Sequence, residues 1–95
     1  MSTEYGPYRQ MGTLAERMAH RYQVDKALEL EPHLAHYMDE VEVNIASDAF
    51  NHVGFMEKIS GQLQATFTAT ADPREREFLD AVIAALQTRI AREHA

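Results

Sequence analysis

A chain of 95 residues, 45% hydrophobic and 25% charged, has the size and composition of one small domain around one core. The absence of cysteine excludes a disulfide framework, a thiolate zinc site, an iron–sulfur cluster and a cysteine nucleophile. A net charge of −6 works against nucleic-acid binding, which draws its affinity from a basic face, and no apolar run approaches the roughly 20 residues that span a bilayer.

Residues 1–10 hold Tyr5, Tyr8 and the Gly6-Pro7 pair without a helical period, so they are expected to form a flexible N-terminal arm unless the tyrosines dock. A single helical domain is expected over residues 11–95. The first residues have neither a basic stretch nor an apolar one, so no secretory signal is expected and the cytoplasm is the expected location. From Met11, the apolar residues Leu14, Met18, Tyr22, Val24, Ala27 and Leu28 recur at three and four, which predicts a helix. Thr13 with Glu16 offers a competing capping-box start. This first helix is expected to end before Pro32, because proline disfavours the α conformation in the residue preceding it, and Pro32 then suits the first turn of the next helix.

The second helix is expected from Pro32 to about Gln64, along a stripe of Leu34, Met38, Val41, Ile45, Ala49, His52, Met56, Ile59 and Leu63. The alternation Val41-Glu42-Val43-Asn44-Ile45 also fits a strand, but the helical period continues on both sides of it. Gly54 and Gly61 are the expected weak points, each costing about 1 kcal/mol relative to alanine. Thr66–Ala71 is rich in β-branched residues and is expected to be a connection with Phe67 packing inward. Asp72-Pro73-Arg74-Glu75 then spells a helix start, with Asp at the N-cap, Pro at the first position and Glu at the third. The third helix carries Phe78, Leu79, Val82, Ile83, Leu86 and Ile90 and ends near Arg92.

At 1.5 Å per residue the three helices measure about 27, 50 and 30 Å. The expectation is an all-α fold: a helical hairpin plus a third helix, a three-helix bundle with a long central helix. Either a glycine folds that helix back, or a second chain covers its excess apolar length in a homodimer. Met38, Ile45, His52, Met56 and Ile59 are the expected self-association residues.

The charge is segregated along the chain. Residues 23–57 hold Asp25, Glu29, Glu31, Asp39, Glu40, Glu42, Asp48 and Glu57 against Lys26 alone. This acidic element either pairs with the arginine-bearing segments on each side or forms a docking face for a basic partner, with Glu29, Glu31, Asp39, Glu40 and Glu42 as its contact residues.

Five histidines are many for this length. His33 and His36 at i, i+3 and His36 and Glu40 at i, i+4 share a helix face, a spacing used by helical di-iron proteins, so these three are the candidate ligands for a transition metal. His52 lies too far along the same helix to join them. It sits instead on the apolar seam, either as a hydrogen-bonded residue that fixes register or as a pH-sensitive contact. Ser47, Asp48 and His52 on one helix cannot take up a catalytic-triad geometry. Met11, Met18, Met38 and Met56 fill a core or line a groove for a partner helix.

Lys26-Ala27-Leu28-Glu29-Leu30-Glu31-Pro32 resembles the end of the second helix of a tetratricopeptide repeat, in which a small residue precedes proline by five positions. The residues upstream and one period downstream depart from that pattern, and such repeats need about three copies to bury a core. The resemblance is therefore one of helix-corner chemistry. The glycines are scattered rather than clustered in a phosphate-binding loop, and the acidic composition does not suit a membrane surface. The expected function is non-catalytic protein–protein interaction, as an accessory subunit, adaptor, small chaperone or regulator. The alternatives are a small metal-binding helical protein and an acidic nucleic-acid mimic.

Overall fold

The computed structural model describes residues 5–47 and 50–94, and among these residues the chain is all-helical, with four helices and no strand. They are α1 (Tyr8–Val24), α2 (Leu30–Ser47), α3 (His52–Ala69) and α4 (Pro73–Glu93). The expectation of three helices with a long central rod is corrected: the rod is two helices. The break falls at neither candidate glycine. Asn51 has extended backbone angles and its side chain accepts a hydrogen bond from the Gly54 N–H at 2.9 Å, so an N-cap residue starts α3. Ala49, counted in the continuous stripe, lies outside the described residues, as does Asp48.

Other boundaries also differ from expectation. The first helix ends at Val24, where the Asp25 side chain accepts from the Ala27 N–H and the Leu28 N–H bonds the Asp25 carbonyl, so a local turn competes with continued helix. Its start is also earlier than Met11: Tyr8–Gln10, placed in the arm by the sequence, form its first turn. The threonine-rich stretch is helical to Ala69 rather than a connection. The hydroxyls of Thr66, Thr68 and Thr70 donate to the carbonyls of Gln62, Gln64 and Thr66 four residues back, which satisfies these hydroxyls within the helical conformation. The α4 start is as spelled: Asp72 accepts from the Arg74 and Glu75 N–H groups at 3.0 Å, with Pro73 in the first turn.

Side-chain pairings set the topology. His33 and Tyr37 of α2 reach Met18 and Met11 of α1 respectively, so these neighbours run antiparallel. Glu16 of α1 meets Gln62 and Thr66 of α3, which runs parallel to α1, while Tyr22 faces Glu77 and Phe78 of the antiparallel α4. The α1 and α4 helices pack on each other at the centre, with α2 and α3 on opposite sides.

The core takes Met11, Ala15, Met18, Ala19 and Tyr22 from α1, and Tyr37 and Val41 from α2. Phe55, Met56, Ile59 and Leu63 come from α3, and Phe78, Leu79, Val82, Leu86 and Ile90 from α4. The radius of gyration, 13.1 Å, is close to the roughly 12 Å of a compact chain of this length. Once the rod is broken, Val41, Met56, Ile59 and Leu63 of its stripe are buried within their own chain, and Leu34, Met38 and Ile45 pack partly against the core.

The segment before α1 docks on the start of α3. Gly6 adopts φ 68°, a left-handed conformation that favours glycine, and packs its backbone against the Phe50 ring. Gly54 gives the Tyr5 ring room that a Cβ would occupy, and the Lys58 ammonium sits 5.2 Å from the centre of that ring.

Candidate functional site

Of the four helices, α2 has the fewest buried residues, Tyr37 and Val41. Tyr37 donates its phenol hydrogen to the Met11 carbonyl at 2.9 Å, and burial pushes its ionisation well above the ordinary 10.0. The folded chain therefore holds this proton more tightly than the unfolded chain does. The resulting stability is complete below pH 10.0 and declines as the pH rises past that value. Tyr37→Phe should flatten the alkaline decline and cost about 1 kcal/mol at neutral pH. Urea midpoints measured between about pH 8 and pH 11 check both parts.

The two flanks of α2 are fixed by its neighbours. On the α1 side, His33 donates from Nε2 to the Met18 carbonyl at 2.9 Å, and its ring lies 6.0 Å from that of Tyr22 and 4.9 Å from that of Phe78. On the α4 side, Glu42 receives Nε and Nη2 of Arg89 at 2.7 and 3.3 Å. Arg89 also holds Glu93 at 2.5 Å, and the two carboxylates raise the arginine pKa.

The expected site residues are placed as follows by the fold. Glu42 is spent on Arg89 inside the chain. Glu29, Glu31, Asp39 and Glu40 are exposed, and none of them forms an ion pair among the described residues. The candidate metal ligands His33, His36 and Glu40 line one groove between α1 and α2, with His33 Nε2 on the Met18 carbonyl, and among the described residues no group of three or more His, Asp or Glu side chains is arranged to hold a metal.

The self-association set is scattered. Met56 and Ile59 are completely enclosed by their own chain, which leaves no surface on either for a second copy. Met38 and Ile45 are half-buried against the core, and His52 meets the Phe50 ring edge-on at 5.3 Å. Asp48 of the Ser47–His52 segment lies outside the described residues.

The outward face of α2 carries Pro32, Ala35, Asp39, Val43 and Ala46, all exposed and spaced by three and four. Val43 is 57% exposed, against a core that hides most large apolar side chains. The result is a small apolar strip with carboxylates along it and on both sides. Beside it, between α1 and α2, runs an open groove of about 490 Å³ with Leu14, Met18 and Leu28 on its floor and Arg21, His36 and Glu40 among its walls.

Sequence reasoning missed the complement of this face on α1. Arg9, Arg17 and Arg21 are exposed there, and the Arg17 and Arg21 side chains form no ion pair among the described residues. The one acid of α1, Glu16, points inward and accepts from the Thr66 hydroxyl at 2.6 Å. The signal was the spacing of Arg17 and Arg21 by one helical turn, outside the apolar set Met11, Ala15 and Met18.

Among the described residues no helix is long and apolar enough to cross a membrane. The class defined by these observations is an all-α four-helix fold with one acidic, partly apolar outer helix. No protein-family model matches the chain, and comparison with curated proteins and with solved structures finds no match.

Proposed function

We propose that the protein is a non-catalytic interaction module, an accessory subunit, adaptor, small chaperone or regulator, that engages a basic protein surface through the outer face of α2. The observation that carries this reading is the set Glu29, Glu31, Asp39 and Glu40, exposed and without ion-pair partners among the described residues, around the strip Pro32, Ala35, Val43 and Ala46. Interfaces combine an apolar centre with a polar rim, which is the pattern on this helix. Unpaired carboxylates of one sign also set up a field that draws a basic surface in and orients it. The fold has little use for them, because the inward contacts of α2 are made by His33, Tyr37, Val41 and Glu42.

Substituting Lys at Glu29, Glu31, Asp39 and Glu40 tests this. Capture of interacting proteins by the immobilised chain, read by mass spectrometry, should fall at least about tenfold for the reversed variant. The helical circular dichroism should be unchanged, because all four side chains are exposed. The captured set should also weaken with added salt. Equal capture by the two baits would overturn the reading.

A further inference from the structure

We infer that the basic surface fitted to α2 is the α1 face of a second copy of this chain, so that the protein forms a two-fold dimer across α1 and α2. This rests on the reading of α2 as a docking helix and names its occupant. The two helices are neighbours of opposite charge. Outward on α1 stand Arg9, Arg17 and Arg21, with Glu16 turned inward; Asp39 and Glu40 stand exposed on α2, with Glu31 in its first turn and Glu29 just before it.

The antiparallel pairing also places these charges at matching heights. His33 opposite Met18 and Tyr37 opposite Met11 set Arg21 level with Glu29 and Glu31, and Arg9 level with Asp39 and Glu40. Facing two copies through this surface allows two kinds of two-fold axis. An axis perpendicular to the helices lays α1 on α1 and α2 on α2, like charge on like. An axis parallel to the helices lays the α1 of each copy on the α2 of the other and preserves height, so Arg21 comes to the acidic start of α2 and Arg9 to Asp39 and Glu40. Complementarity selects the second, and a two-fold contact is closed and self-limiting.

Two helices about 26 Å long and about 10 Å apart present a footprint of about 500 Å² per copy, or about 1,000 Å² in total. That lies at the lower end of specific interfaces and fits a weak, salt-sensitive, concentration-dependent dimer. Leu14 and Leu28 in the groove and Val43 on α2 supply apolar surface between the charged rows.

Sedimentation equilibrium of the full chain over a wide concentration range, at low and high salt, tests the inference. The dimer should be present at low salt, with its dissociation constant raised at least about tenfold at high salt. Two charge-reversed variants, Arg17→Glu with Arg21→Glu and Glu29→Lys with Asp39→Lys and Glu40→Lys, should each be monomeric while keeping the helical signal. Mixed, they should form a heterodimer, because each reversed α1 or α2 then meets an opposite partner. A wild-type chain that is monomeric throughout, a dimer that survives both reversals, or a mixture that stays monomeric would each overturn it. If the wild-type chain is monomeric and the reversed bait loses its captured proteins, the dimer falls and an unrelated basic protein takes its place on α2. If the chain is monomeric and capture is unchanged, both proposals fall.

Discussion

Phe78→Ala should cost about 3–5 kcal/mol, the range for truncating a fully buried aromatic side chain. Phe78 has no exposed surface, and its ring lies 4.9 Å from His33 and 6.0 Å from Tyr22, so one side chain joins α1, α2 and α4 near one end of the bundle. The loss has two sources. Transfer of the ring out of water is forgone, and the cavity left behind cannot close, because the neighbours are held in place: His33 by its bond to the Met18 carbonyl and Tyr22 by its bond to Glu77. Since a domain of this size is stable by only about 5–15 kcal/mol, the variant should unfold at a far lower urea midpoint with an unchanged slope. Its melting temperature should drop by about 4–8 °C for each kcal/mol lost. Ile83→Ala, on the same helix but only half-buried, should cost markedly less. Equal midpoints for Phe78→Ala and the wild-type chain would show that the ring does not join the three helices.

The α4 helix was legible in the sequence because all its signals are local. Asp72, Pro73 and Glu75 fix its start within four residues, and the three-and-four spacing of Phe78, Leu79, Val82, Leu86 and Ile90 marks its buried face. The break before α3 was missed because glycine was weighed and capping was not: Asn51, three residues before Gly54, supplies the acceptor that starts a new helix. Periodicity carried straight through that break, since the apolar residues on both sides belong to one core. A stripe records that a face is covered and not by which chain, and for this reason Met56 and Ile59 read as an interface while lying inside the monomer.

The candidate site divides in the same way. That α2 lies in the acidic part of the chain followed from composition. Which of its carboxylates is spent internally did not follow, because Glu42 meets Arg89 across 47 positions of sequence and only the packing of α4 decides the match. His33 shows the same limit. Its spacing with His36 and Glu40 is a property of one helix, whereas its hydrogen bond is made to a carbonyl on another.

Arg74→Ala should remove about 2–4 kcal/mol through a contact that no local pattern reveals. An arginine in the first turn of a helix opposes the macrodipole, whose positive end favours acids there. Here the guanidinium leaves its own helix and serves another. Its Nε donates to the Tyr22 carbonyl at 2.8 Å and its Nη2 to those of Asp25 and Leu28 at 3.3 Å, while its Cζ lies 3.9 Å from the centre of the Tyr22 ring. The last carbonyls of α1 have no partner within their helix and carry the negative end of its dipole, so the charge that α4 disfavours at its start is favourable at the end of α1. A planar fork can serve three acceptors and a ring face together, and an ammonium cannot, so Arg74→Lys should recover less than half of the loss. Arg76 serves α3 alike, donating to the Phe67 and Thr70 carbonyls above the Phe67 ring. Because it holds two carbonyls of a partly exposed end, Arg76→Ala should cost less than Arg74→Ala. Urea midpoints for the three variants rank these effects, and amide exchange should report faster opening around Asp25–Leu28 in Arg74→Ala alone. A midpoint for Arg74→Ala equal to that of the wild-type chain would mean that water satisfies those carbonyls as well as the arginine does, and that the turn between α1 and α2 is set by Asp25 without help from α4.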